Sequence, residues 1–162
     1  MNLKTTLPLA AAATVVDTAL DAGRAESMFP LTVVVLDAGG RIVAAKSEDG
    51  SGILRFDIAF GKAWGALGMG ISSRLIRDRL SARPTFQNAI AAASDGRLIP
   101  VPGGVLIKDG DGAVIGAVGI SGDTSEKDEY CAISGIRAAG YDCEPDAPDP
   151  DWRGSSLSDT KR

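Results

Sequence analysis

Between residues 9 and 20 the apolar positions recur at helical spacing: Leu9, Ala12, Ala13, Val16, Ala19 and Leu20 share one face. Thr6 is placed to cap this first helix, Pro8 falls in its first turn, and Gly23 is placed to end it. The period then changes. Residues 31–37, LTVVVLD, are too apolar and β-branched to leave a wet face, and AGG at 38–40 turns them into RIVAAKS at 41–47. This predicts a β-hairpin at the heart of a sheet. After the polar loop EDGSG, helical stretches are expected over about 54–68, 72–81 and 84–94, with Gly68 and Gly70 separating the first two and Pro84 opening the third.

GVLIKD at 104–109 and AVIGAVGIS at 113–121 flank an Asp/Gly-rich turn and predict a second hairpin. Ser125 followed by Asp128 resembles a capping box, and Tyr130, Ile133, Ile136, Arg137 and Ala139 carry a last helix to Gly140. The residues after Cys143 are rich in Pro, Asp and Ser, with Trp152 and Leu157 as their large apolar pair. They predict a flexible acidic, polar tail over 144–162 behind one domain over 1–143. Hairpins separated by a block of helices give an α/β chain of the α+β sandwich kind, an antiparallel sheet with helices packed on its faces.

Composition narrows the function classes. A chain of 162 residues fits one domain, and 44% hydrophobic with 23% charged residues is an ordinary globular balance. A net charge of −4 without a local Lys/Arg cluster argues against nucleic acid and anionic membrane surfaces as partners. The opening MNLKTTLPLAAAATVV imitates a signal peptide, but the run meets Asp17 in helical phase, so it is read as the first helix of a cytoplasmic protein. There is no histidine, which excludes His-based zinc and non-haem iron sites and every Ser/His or Cys/His catalytic pair. Cys131 and Cys143 form no metal knuckle and suit a reducing compartment; whether they pair is left open by the sequence.

Several short motifs dissolve on inspection. KDGDGAVIG departs from a calcium loop at Ala113 and Val114, GALGMG and GAVGISG match neither phosphate-loop pattern, and Gly119-Ile120-Ser121-Gly122 has no histidine to activate its serine. Gly116, Gly119 and Gly122 alternate sheet faces, and each leaves room for a close neighbour, either a packed helix or a ligand. Asp123, Glu126, Asp128 and Glu129 complement the dipole of the helix they precede or begin. Lys62, Arg74, Arg77, Arg79 and Arg83 read as solvated helix charges, although Lys62 or Arg74, folded toward the sheet, would hold a carboxylate.

The helix-one alanine run, VVVLDAGGRIVAAKSEDG, IAFGKA, PVPGGVLIKDGDGAVIGAVGISG and DEYCAISGI, in that order over about residues 8–140, resemble the GlcG/HbpS-like haem-binding family. The glycine-punctuated stretch ending in GAVGISG is the specific part. The same segments resemble the C-terminal domain of PduO-type cobalamin adenosyltransferases. The resemblance implies a profilin-like fold with a five-stranded antiparallel sheet, assembly into homo-oligomers, and Lys62, Gly103, Gly104, Ser121, Gly122 and Asp123 as pocket-wall positions. It also makes haem a cofactor to consider, although haem-binding members take a histidine from the first helix and Leu9 to Ala22 contains none.

The reading that follows is a homo-oligomeric protein binding a small, polar metabolite between the helical block and the Gly-rich hairpin. Its ligand-binding candidates are Lys62, Arg74, Gly103, Gly104, Ser121, Gly122 and Asp123, with no metal ligands. One rival is a cofactor-independent isomerase or lyase in which Lys62 or Arg74 stabilises negative charge and Asp123 or Glu129 is the general base. Another is haem or corrinoid binding through Cys131, Tyr130, Met28 or Met69.

Overall fold

A computed structural model describes residues 4–157. Helix α1 (Leu9–Ala25) leads into the hairpin β1 (Thr32–Asp37) and β2 (Ile42–Ser47). Helices α2 (Leu54–Met69), α3 (Ser73–Leu80) and α4 (Pro84–Ala93) follow, then β3 (Gly104–Lys108), β4 (Val114–Ser121), α5 (Ser125–Ala138), β5 (Asp142–Glu144) and a short 3-10 turn at Trp152–Gly154. The five strands form one sheet in the order β2-β1-β4-β3-β5, and every pairing is antiparallel. The chain is thus the α+β sandwich that the hydrophobic pattern implies. The first hairpin, however, is not at its heart. β4 pairs with both β1 and β3 and is central, whereas β2 is an edge strand with largely exposed side chains.

Strand periodicity sorts the core into two layers. Val33, Val35, Val105, Ile107, Val118 and Ile120 face α1 and α5, where Val15, Val16, Ala19, Ile133 and Ile136 complete a buried aliphatic cluster. The alternate residues Val34, Leu36, Leu106 and Ala117 face α2 and meet Ala59, Ala63 and Ala66. Glycine makes the second layer thin. Gly119 and Gly104 are cross-strand partners, and a methyl group at Gly119 would strike the Ala59 carbonyl oxygen, one at Gly104 that of Lys62. The α2 backbone therefore rests directly on β3 and β4, and the glycine run serves helix packing at these two positions.

Local signals are partly displaced. Thr6 does not cap α1; its hydroxyl accepts a hydrogen bond from the Ala38 amide instead. Gly23 lies inside α1, buried where Leu31 leaves no room for a side chain. Thr124, not Ser125, caps α5, accepting from the Lys127 amide, which frees Asp128 to turn inward.

The segment read from its composition as a tail contributes structure up to residue 157. Glu144 belongs to β5 and accepts hydrogen bonds from the Ser72 amide and hydroxyl. Trp152 is buried and stacks on Tyr130 with ring centroids 3.8 Å apart. Arg74 donates to the Ala147 carbonyl at 2.8 Å, Arg137 to that of Asp146, and Thr124 and Ser155 share a hydrogen bond of 2.5 Å. Residues 158–162 of the expected tail lie outside the described residues.

Candidate functional site

The face of α2 turned to the sheet carries Arg55, Ala59 and Lys62, which fall on one stripe because seven residues span two helical turns. Lys62 comes down where Gly104 admits the helix backbone, and its side chain is 2% exposed. Its ammonium donates to the Ile120 carbonyl and to Asp128 Oδ2, each at 2.8 Å. Gly103 makes room for the pair: its φ is +110°, and a side chain there would meet Lys62 Nζ at 2.9 Å and Asp128 Cβ at 3.0 Å. Burial pushes the Asp128 carboxyl upward, and the Lys62 ammonium opposes the shift.

Asp128 Oδ1 accepts the Asp123 amide at 3.2 Å, and Asp123 in turn accepts the amides of Phe29 at 3.0 Å and Thr124 at 2.8 Å. Burial raises the Asp123 carboxyl, but these two amides and the Lys127 ammonium outweigh it and hold it below the usual carboxylate range. The 121–124 turn is thereby tied both to the buried pair and to the chain entering β1.

On the solvent side of this turn Arg55 donates to Ser121 Oγ at 3.2 Å. Beside that hydrogen bond lies a cleft of about 370 Å3 lined by Phe29, Pro30, Gly50, Gly52, Arg55, Gly122 and Leu157. Gly122 is required there, since a side chain would strike the Pro30 carbonyl and Leu31. Across Pro30 a second cleft of about 500 Å3 is bounded by Arg24, Met28, Ser47, Glu48 and Asp49. A larger groove of about 680 Å3 runs along 149–155, but its walls carry Glu126, Asp149 and Asp151, and its one cation, Arg153, is engaged by Glu26 at 2.7 Å.

Of the residues singled out in the sequence, Lys62, Gly103, Gly104, Ser121, Gly122 and Asp123 come together around the start of α5. Gly122 lines the Arg55 cleft and Ser121 fixes its guanidinium, whereas Lys62, read as a helix-surface or ligand-facing charge, is enclosed with Asp128. Arg74 is elsewhere: its Nε lies 3.3 Å from Oε2 of Glu129, a fully buried carboxyl. Burial pushes Glu129 up to about 7, against the nearby guanidiniums of Arg74 and Arg77.

The four residues considered as iron ligands are dispersed. Tyr130 lies against Trp152, and Met69 sits at the far end of α2 from Arg55. Cys131 is buried with its thiol 3.5 Å from Met28 Sδ, and burial pushes that thiol well above its ordinary range. Both cysteines are free thiols. Among the described residues no group of three or more Cys, Asp and Glu is gathered to hold a metal ion, and no helix is long and apolar enough to cross a membrane.

Sequence reasoning missed Arg55, Asp128 as the partner of Lys62, and the cleft walls Phe29 and Leu157. The i, i+7 relation of Arg55 to Lys62 was the available signal, since a cation placed one stripe-repeat before a sheet-facing residue shares its face.

Fold and site together define a three-layer α/β domain with a serine-held arginine at an open cleft. The family model described as haem degrading protein HbpS-like matches residues 7–137, and the chain belongs to this family, as the GAVGISG segment led us to expect. The fold is shared with PduOC, solved as a haem complex, at 23% identity and a TM-score of 0.75, over 83% of this chain and 96% of that one. A double mutant of HbpS from Streptomyces reticuli is 24% identical with a TM-score of 0.71, over 85% and 89%. Protein ORFY of Klebsiella pneumoniae is 26% identical with a TM-score of 0.74, over 86% and 94%. No curated protein matches the chain.

Proposed function

We propose that this protein binds a small molecule in the cleft between Pro30, Arg55 and Gly122. One observation carries the reading: segments distant in sequence converge on a cleft of about 370 Å3, within the size range of ligand sites, and a serine orients its one guanidinium. The haem complex of PduOC, which shares the fold, supports a small-molecule role. Native mass spectrometry of the freshly purified chain tests this. A retained mass that disappears in a Gly52→Trp variant, where the new side chain starts 4.0 Å from its nearest neighbour, Arg55 Cγ, is the expected result; retention unaffected by that substitution would place the ligand elsewhere.

The same reading makes the protein a homo-oligomer and places it in the cytoplasm. Helix α4 buries none of its residues although Phe86, Ala89, Ile90 and Ala93 are apolar, which supports a subunit contact, and two free buried thiols suit a reducing compartment. The subunit count is read in the same spectrum.

One observation favours haem as the ligand: Met28, a chemically competent axial donor, borders the 500 Å3 cleft with Arg24, whose guanidinium would exchange Glu48 or Asp21 for a propionate. Histidine ligation is ruled out because the chain has none. A sharp, stoichiometric Soret band that survives high salt and is lost in Met28→Ala would establish this reading. A broad, salt-sensitive band would leave haem as a nonspecific guest.

A further inference from the structure

Arg55 differs from most other cations of the chain in how it is held. Arg24, Arg41, Lys46, Lys62, Arg74, Arg77, Lys127 and Arg153 each have a carboxylate within ion-pair distance, and Arg97 lies over the Trp64 ring. Among the described residues Arg55 has no carboxylate within ion-pair distance, acting on the buried Asp128 only from farther away; its side chain makes one hydrogen bond, to Ser121 Oγ. A guanidinium has five N–H donors in a planar fork, so the bond to Ser121 orients the plane and leaves an edge able to grip an anion bidentately. The hydroxyl that orients it belongs to a residue only 1% exposed, so the anchor is part of the packed body.

Two further features define what this edge would hold. Phe29 and Leu157 line the same cleft while remaining 61% and 52% exposed, which leaves apolar wall for the body of a ligand to cover. Arg55 is the one charged side chain among the residues that line the cleft, and the neighbouring Asp123 and Glu48 are already paired, with Lys127 and Arg24. A single guanidinium balances one negative charge and leaves a second one unmatched.

From the unpaired Arg55 edge, its Ser121 anchor and the Phe29 and Leu157 walls, we infer that the cleft takes an organic monocarboxylate, with the carboxylate on Arg55 and a short apolar body along Phe29 and Leu157. This rests on the cleft reading above and names its ligand class. Phosphate monoesters share the chemistry that Arg55 recognises, but no second cation lines the cleft to meet their second charge.

The test is an amide-resolved NMR titration of the full chain with hexanoate, acetate, hexyl phosphate, inorganic phosphate and hexanol. Hexanoate should shift the Phe29, Gly122 and Leu157 amides and bind at least about tenfold tighter than acetate or hexanol. Arg55→Gln should weaken hexanoate about tenfold or more, and Arg55→Lys less, while the remaining amide spectrum stays folded. Hexanol binding as tightly as hexanoate, or hexanoate binding unchanged in Arg55→Gln, would overturn the anion class while leaving the cleft in place. Tighter binding of hexyl phosphate would overturn the carboxylate. If no probe moves the cleft amides, both this inference and the cleft reading fall.

Discussion

Lys62 Nζ and Asp128 Oδ2 meet at 2.8 Å with their side chains 2% and 1% exposed, joining α2 to α5 through the sheet layer between them. Removing one member of such a pair leaves an uncompensated buried charge, which typically costs about 3–5 kcal/mol. Lys62→Met and Asp128→Asn should each lower the unfolding free energy measured in urea by that order. The double variant Lys62→Met, Asp128→Leu should recover most of the loss, since apolar replacement of both partners is often close to neutral. Two single losses that simply add in the double variant would show that the residues are not coupled.

Glu129 gives the stability a defined pH dependence. Its carboxyl is raised from 4.5 to about 7 by burial, against Arg74 and Arg77, with the Asp149 carboxylate adding to the rise and the Asp149 backbone opposing it. The folded chain therefore holds a proton there that the unfolded chain has released, so this stability is present below about pH 4.5 and is lost as pH rises to about 7. The full difference is on the order of 3 kcal/mol. In Glu129→Gln that loss should vanish, leaving the variant more stable than the parent above pH 7 by a similar amount. Urea midpoints measured from pH 4.5 to 8 give the comparison; parallel curves would refute it.

The glycines make opposite predictions at two positions. Gly119→Ala drives a methyl group into the Ala59 carbonyl and must lift α2 from the sheet, so a loss of about 3 kcal/mol or more is expected. Gly68 is an exposed position of α2 with no atom within 4 Å of an added methyl, and Gly68→Ala should gain about 0.5–1 kcal/mol through helix propensity. Thermal unfolding of the two variants would separate them by sign.

Trp152 secures the segment after β5 through its stack on Tyr130 and lies under the Arg153 guanidinium. Trp152→Ala should cost about 3 kcal/mol and raise amide exchange across 145–155 while α1 and the central strands stay protected. Exchange that rises evenly over the whole chain would show instead that this segment unfolds only with the domain.

The sequence by itself determined the five helices, the two hairpins and the family, because side-chain period, turn glycines and the GAVGISG stretch are local and survive in any arrangement of the strands. It also determined, through the missing histidine, which chemistry is closed to this chain. Only the tertiary structure decided which charges became partners. Lys62 and Asp128 are 66 residues apart, as are Arg55 and Ser121, and each pair exists because Gly104 and Gly119 let the α2 backbone settle onto β3 and β4. No period in the sequence reports that descent, so a buried lysine looked like a helix-surface charge. The segment after Cys143 was misleading for the related reason that composition measures what a chain can bury alone. Trp152 has little to bury within its own stretch, and it is held by the Tyr130 face that α5 presents to it.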